Sequence, residues 1–99
     1  MGILTYGPFE VLFDDRTLAH LRLVMTAKLR RGESFVLCWS GASGTGNGQD
    51  SVWISPYVPL HFHLDDSRHT INKAWLEILM QRANSVGGFV VAPEPDPAG

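Results

Sequence analysis

Chemistry-bearing side chains fall at strand spacing in Leu60-His61-Phe62-His63-Leu64-Asp65. Alternation places His61, His63 and Asp65 at i, i+2 and i+4, so all three project from one face of an extended segment. Neutral imidazoles and a carboxylate are zinc-type ligands, and such a set with one open coordination position suits a catalytic metal. Asp66 and His69 lie close by in sequence. The same His-x-His pattern also arises on the outward face of any half-buried strand, so uptake of zinc by the metal-free protein separates the two readings. A second constellation is cationic. Lys28, Arg30 and Arg31 close a helical stretch, with Arg22 and Arg16 further back. Beside Trp39, Trp53 or Tyr57 as stacking platforms, they predict a nucleic-acid or nucleotide surface. Cations are equally expected where a helix ends in unsatisfied carbonyls, and a net charge of −2 supplies no global field to attract phosphate.

Other candidates fail on their own chemistry. Gly41 and Gly46 stand at phosphate-loop spacing, but Asn47 occupies the lysine position and Gly48 the hydroxyl position. A β-prone segment follows in place of a helix, so Gly41 to Gly48 reads as a hairpin connection. Cys38 lies between Leu37 and Trp39, where apolar surroundings make a thiol inert. Ser40, Ser43 and Ser55 have no nucleophile elbow around them. Trp39, Trp53 and Trp75 are expected mainly in the core, and any one left exposed would mark an interface.

The elements that must position these residues follow from periodicity. Ile3 to Tyr6 and Phe9 to Phe13 flank Gly7-Pro8 and predict a hairpin. Asp14 or Asp15 caps a helix whose stripe is Leu18, Leu21, Met25 and Leu29, widened by Val24 and stopped by Gly32. Ser34 to Ser40 is apolar on both faces and predicts a central strand. Strands at 51–55 and 60–64 follow. A second helix, capped by Ser67 or Thr70, carries Ile71, Trp75, Ile78, Leu79 and Arg82 on its buried stripe, with Ala74 allowing close approach. Phe89 to Ala92 reads as the last strand. The order is ββαβββαβ, an α+β domain in which one mostly antiparallel sheet carries two helices. Residues 1–92 form this domain, and residues 93–99 a flexible proline-rich tail.

Bulk composition bounds the function. With 99 residues, 44% of them hydrophobic and 18% charged, the chain has the composition of one globular domain. A single cysteine, no cleavable leader and no long apolar run predict a cytoplasmic protein with no membrane partner. With no complete catalytic motif, the leading expectation is a non-enzymatic binding or interaction domain with no required cofactor. Surplus aromatic surface favours self-association as a homodimer or contact with another protein.

Longer blocks of the sequence carry a resemblance. Met1-Gly2-x-Leu4-x-Tyr6-Gly7, Asp15-Arg16-Thr17-Leu18-Ala19-His20-Leu21 and Lys28-Leu29-Arg30-Arg31-Gly32-Glu33-Ser34-Phe35 are followed by Val52-Trp53-Ile54-x-Pro56 and Pro59-Leu60-His61-Phe62. Asn72-Lys73-Ala74-Trp75, Ala83-Asn84-Ser85 and Pro93-Glu94-Pro95 complete the set. Together they resemble a family of actinobacterial proteins of about this length, functionally uncharacterised and often labelled ATP-dependent DNA ligase. That label implies an adenylated lysine, normally in Lys-x-Asp-Gly. The lysines here stand in Lys28-Leu29-Arg30-Arg31 and Lys73-Ala74-Trp75-Leu76, and neither fits. What the resemblance leaves for this chain is an accessory role beside nucleic acid.

Overall fold

The Gly7-Pro8 pair reverses the chain for a simple reason. In the computed structural model, which describes residues 1–40 and 49–95, Gly7 takes φ 57°. A glycine at positive φ followed by a residue locked near −65° matches a type II′ turn, whose twist suits a hairpin. It joins β1 (Gly2–Tyr6) to β2 (Phe9–Phe13) in antiparallel register, Tyr6 opposite Phe9 and Leu4 opposite Val11. Asp14 then caps α1 (Asp15–Arg30), its carboxylate accepting the Thr17 N–H at 3.2 Å. The helix stops where Gly32 turns to φ 74° and donates to the Leu29 carbonyl at 2.9 Å.

The expected α+β class and element order are both found. The strands divide between two sheets. β5 (Leu60–Leu64) lies against the open side of β1, giving the order β2-β1-β5. β3 (Phe35–Ser40), apolar on both faces, takes the centre of a second sheet. Its neighbours are β4 (Gln49–Ile54), antiparallel, and β6 (Phe89–Val90), parallel. A strand that is apolar along its whole length is poorly placed at a sheet edge and so claims a central place, whereas β5, with Leu60, Phe62 and Leu64 facing inward, alternates with exposed histidines. The Tyr6 hydroxyl ties the sheets together by accepting the Ser55 N–H at 2.8 Å.

Between the sheets and the helices lie Leu4, Leu18, Leu21, Met25, Leu37, Ile54, Leu79 and Phe89, all essentially inaccessible. Gly2 is part of this packing, since a Cβ there would lie 2.7 Å from Leu18 Cδ2. The second helix, α2 (Lys73–Ala83), runs beside α1 in the same direction. His20 meets Asn72 and Trp75 at one end of the pair, and Lys28 meets Asn84 at the other. Both helix C-termini therefore point to one end of the molecule. Among the described residues no helix is long and apolar enough to cross a membrane.

Besides the single expected sheet, which is divided in two because β5 pairs with β1 while β3 gathers β4 and β6, three expectations change. The cap of α2 is Asn72, not Ser67 or Thr70, because its side chain reaches the Trp75 N–H at 3.2 Å. That start fixes the buried stripe as Trp75, Leu79 and Ala83, so Ala74 and Arg82 face solvent and Ile71 precedes the helix. In the segment expected to be a free tail, Glu94 is bound by Arg16 through two 2.7 Å hydrogen bonds. Residues 96–99 and the glycine-rich segment 41–48 lie outside the described residues.

Candidate functional site

The cationic constellation is brought together in part: Lys28, Arg30, Arg31 and Trp53 lie at one end of the molecule, and Trp39 does not. Lys28 is buried at 6% exposure, its Nζ donating to Asn84 Oδ1 at 2.9 Å and pairing with Glu33 at 3.0 Å. Lys28, and Arg31 after it, hold the Glu33 carboxyl below its usual range. Arg31 approaches Glu33 at 3.4 Å, while Arg30 is exposed and makes no ion pair among the described residues. These cations gather because two helix C-termini converge there, and such ends favour positive charge. Trp39 is elsewhere. It meets Phe13 edge to face at 6.3 Å, in a groove shared with Asp14 and Thr17. Those residues begin α1, and thirteen residues at helical rise put them roughly 20 Å from Arg30. Trp53 is 62% exposed and shares a cleft with Lys28. The expectation that all three tryptophans are mainly core holds for Trp75, 2% exposed with its indole N–H on the Ala92 carbonyl at 2.9 Å. It fails for Trp53, because its face of β4 lies outside the core.

The histidine face is organised differently from a metal centre. His61 and His63 project from the outer face of the β2-β1-β5 sheet, opposite Thr5 and Ile3 of β1. His63 Nε2 lies 3.1 Å from Asp65, whose other oxygen pairs with the Met1 α-amino group at 3.2 Å. That ammonium, and His63 after it, hold the Asp65 carboxyl below its usual range. Two members of the expected triplet are thus in contact. Among the described residues, no group of three or more His, Cys, Asp or Glu side chains is placed to hold a metal ion. Shared orientation on a strand is not by itself convergence on one point. Cys38 is buried as expected, under Gly88.

A well-developed concave surface involves residues that motif reading passed over. A groove of about 930 Å³ runs between β2 and β4, the terminal strands of the two sheets. Val11 and Phe13 of β2, Trp39 of β3, Val52 of β4 and Val91 make its apolar lining. Phe9 and Leu12 stand at its margin, 59% and 61% exposed. Among the described residues its charged side chains are Glu10, Asp14 and Asp50, and neither lysine nor arginine lines it. The local cause is plain. β2 alternates Phe9, Val11 and Phe13 inward, but only Phe13 is buried, because the second sheet does not close over the rest of the strand. Such a surface can hold an apolar or extended ligand and repel an anionic one. Its signal in the sequence is weak. Phe9, Val11 and Phe13 show alternation, and nothing local says that β2 is an edge.

Comparison with known proteins places the chain. Residues 1–94 match the family described as Domain of unknown function (DUF7882). The chain belongs to that family. The match takes in every described strand and helix of the DUF7882 domain and runs to Glu94, the carboxylate bound by Arg16. No curated protein and no solved structure matches the chain.

Proposed function

We propose that this DUF7882 domain works by binding and not by catalysis, and that the groove between β2 and β4 is its recognition surface. The observation that carries the reading is the groove itself. It offers Val11, Phe13, Trp39 and Val52 together in a cavity of about 930 Å³ between two sheet edges. Apolar surface of this extent, gathered in one concavity on a small domain, is where a partner gains most from desolvation.

The ligase label attached to the resembling actinobacterial proteins does not suit this chain. Lys28 is tied to Asn84 and Glu33, and Lys73 is an exposed residue opening α2. Neither sits in the sequence context or the pocket that nucleotidyl transfer to a lysine needs. The accessory nucleic-acid reading loses Lys28 to structure and Trp39 to the opposite end of α1. The groove between β2 and β4 carries Glu10, Asp14 and Asp50 beside its apolar lining, and phosphate avoids such charge.

A neutral, polarity-sensitive dye such as Nile red tests the reading. Titrated into the ¹⁵N-labelled protein, it should move the amide signals of Val11, Phe13 and Val52 and the indole signal of Trp39. Val52→Lys should abolish these shifts while leaving the circular dichroism spectrum unchanged. Shifts confined to Trp53 and the helix C-termini, or no saturable binding at all, would overturn it.

A further inference from the structure

We infer that the groove is a strand-binding slot, which takes an extended polypeptide segment along the free edge of β2, with apolar side chains alternating with basic ones. This rests on the groove being the recognition surface and adds how it binds and what chemistry it selects.

The backbone argument starts at the hairpin. In a two-residue hairpin the flanking pair, here Tyr6 and Phe9, exchanges both of its hydrogen bonds, and the pattern alternates from there. Phe9, Val11 and Phe13 therefore direct their N–H and C=O groups to β1. Glu10 and Leu12 direct theirs away from it, and β2 is the last strand of its sheet. Among the described residues nothing pairs with this edge, and an edge of this kind is a template for another strand. Every residue from Phe9 to Asp14 lines the groove, so the groove follows that edge along its length. Asp50, Ser51 and Val52 of β4, also a terminal strand, form the facing wall.

The side-chain preference follows from the period of a strand. Alternate residues of an added segment fall on the inner side, beside Val11, Phe13, Trp39 and Val52, where apolar groups belong. The others fall on the outer side with Glu10, while Asp14 and Asp50 add negative charge to the groove. Basic residues at these outer positions complement Glu10 and Asp14, which follow one alternation. A second copy of β2 and the cap that follows it would bring Glu10 and Asp14 of its own and no cation, so charge selects a different polypeptide as the occupant.

The test uses a capped peptide alternating valine and lysine, titrated into the ¹⁵N-labelled full chain. Amide signals of Glu10 and Leu12 should shift, and their hydrogen exchange should slow. Glu10→Lys, at an exposed position, should weaken binding about tenfold, the equivalent of one unfavourable charge contact. The same peptide N-methylated at alternate residues should not bind. Equal binding of the N-methylated peptide would overturn strand addition, and equal binding of a valine–glutamate peptide would overturn the basic preference. Light scattering that shows a dimer whose Glu10 and Leu12 amides are already protected would make a second copy the occupant and overturn the inference. If Nile red enters the groove and no peptide does, the strand-binding inference fails while the binding reading stands.

Discussion

Lys28 and Arg30 lie two positions apart on one helix, and their surroundings give them opposite roles. The Lys28 ammonium joins the ends of both helices through Asn84 and meets Glu33 from a buried position. Lys28→Met keeps most of the stem and removes the ammonium, leaving the Asn84 amide oxygen without this donor. A loss of about 0.5–1.5 kcal/mol is expected, read from urea denaturation. Arg30→Ala should change stability by no more than about 0.5 kcal/mol, as surface substitutions do. Equal effects of the two substitutions would contradict the structural role given to Lys28. Gly2 offers a steric counterpart. A Cβ there meets Leu18 Cδ2 at 2.7 Å, the His63 carbonyl at 3.0 Å and Asp15 Oδ1 at 3.1 Å. Gly2→Ala should therefore cost about 1–3 kcal/mol through overpacking, although alanine normally favours neither strand nor core less than glycine does.

At the scale of elements, the start of α2 is held from three sides. The Asn72 side chain accepts the Trp75 N–H, its amide donates to Glu94 at 3.0 Å, and its backbone N–H reaches His20 Nε2 at 2.9 Å. His20 is fully buried, stacked on Trp75 with ring centroids 4.4 Å apart. A carbonyl can only accept and an N–H can only donate. The 2.8 Å contact from Nδ1 to the Arg16 carbonyl and the contact from Asn72 thus fix one neutral tautomer, with the proton on Nδ1. Long-range ¹H–¹⁵N spectra at neutral pH should show Nδ1 protonated and Nε2 bare, and the reverse pattern would contradict this junction. Helix α1 was legible from its stripe and from Asp14, because its cap and its periodicity are both local. The start of α2 was not, since Asn72 competes with Ser67 and Thr70 by local rules and is chosen by His20 and Glu94 from distant parts of the chain.

The whole molecule is closed by its C-terminal segment. Glu94 is bound by Arg16 and then by Asn72, and these hydrogen bonds lower its carboxyl from the ordinary 4.5 to about 2. A carboxylate whose folded value is depressed stabilises the fold above its unfolded value, and that contribution is lost as pH falls from about 4.5 to about 2. Glu94→Gln should accordingly be less stable than the parent chain at neutral pH, with the difference shrinking through this window. Urea midpoints measured across the acid range check it, and a difference that stays constant down to pH 2 would remove Glu94 from the account. Because the pair is partly exposed, added salt should also narrow the gap. Charge is divided over the molecule too. Arg30 and Arg31 lie at the convergent helix C-termini, while Glu10, Asp14 and Asp50 line the groove near the start of α1. A strand carrying basic side chains would therefore meet the molecule on one side only.

The α+β class, the element order, the Gly7-Pro8 hairpin, the first helix and the central place of the Phe35–Ser40 strand were determined by the sequence itself. Each rests on short-range causes: alternation, a cap, a turn-forming pair, or an apolar run that is poorly placed at a sheet edge. The division into two sheets, the parallel helices and the groove between β2 and β4 were decided only by the tertiary structure. Whether β2 is an edge depends on where β5 pairs, and whether Lys28 is a free cation depends on Asn84, 56 residues away. The same logic applies to His61, His63 and Asp65, of which His63 and Asp65 meet. Strand spacing aligns side chains on a face, but the packing of distant segments decides which of them meet.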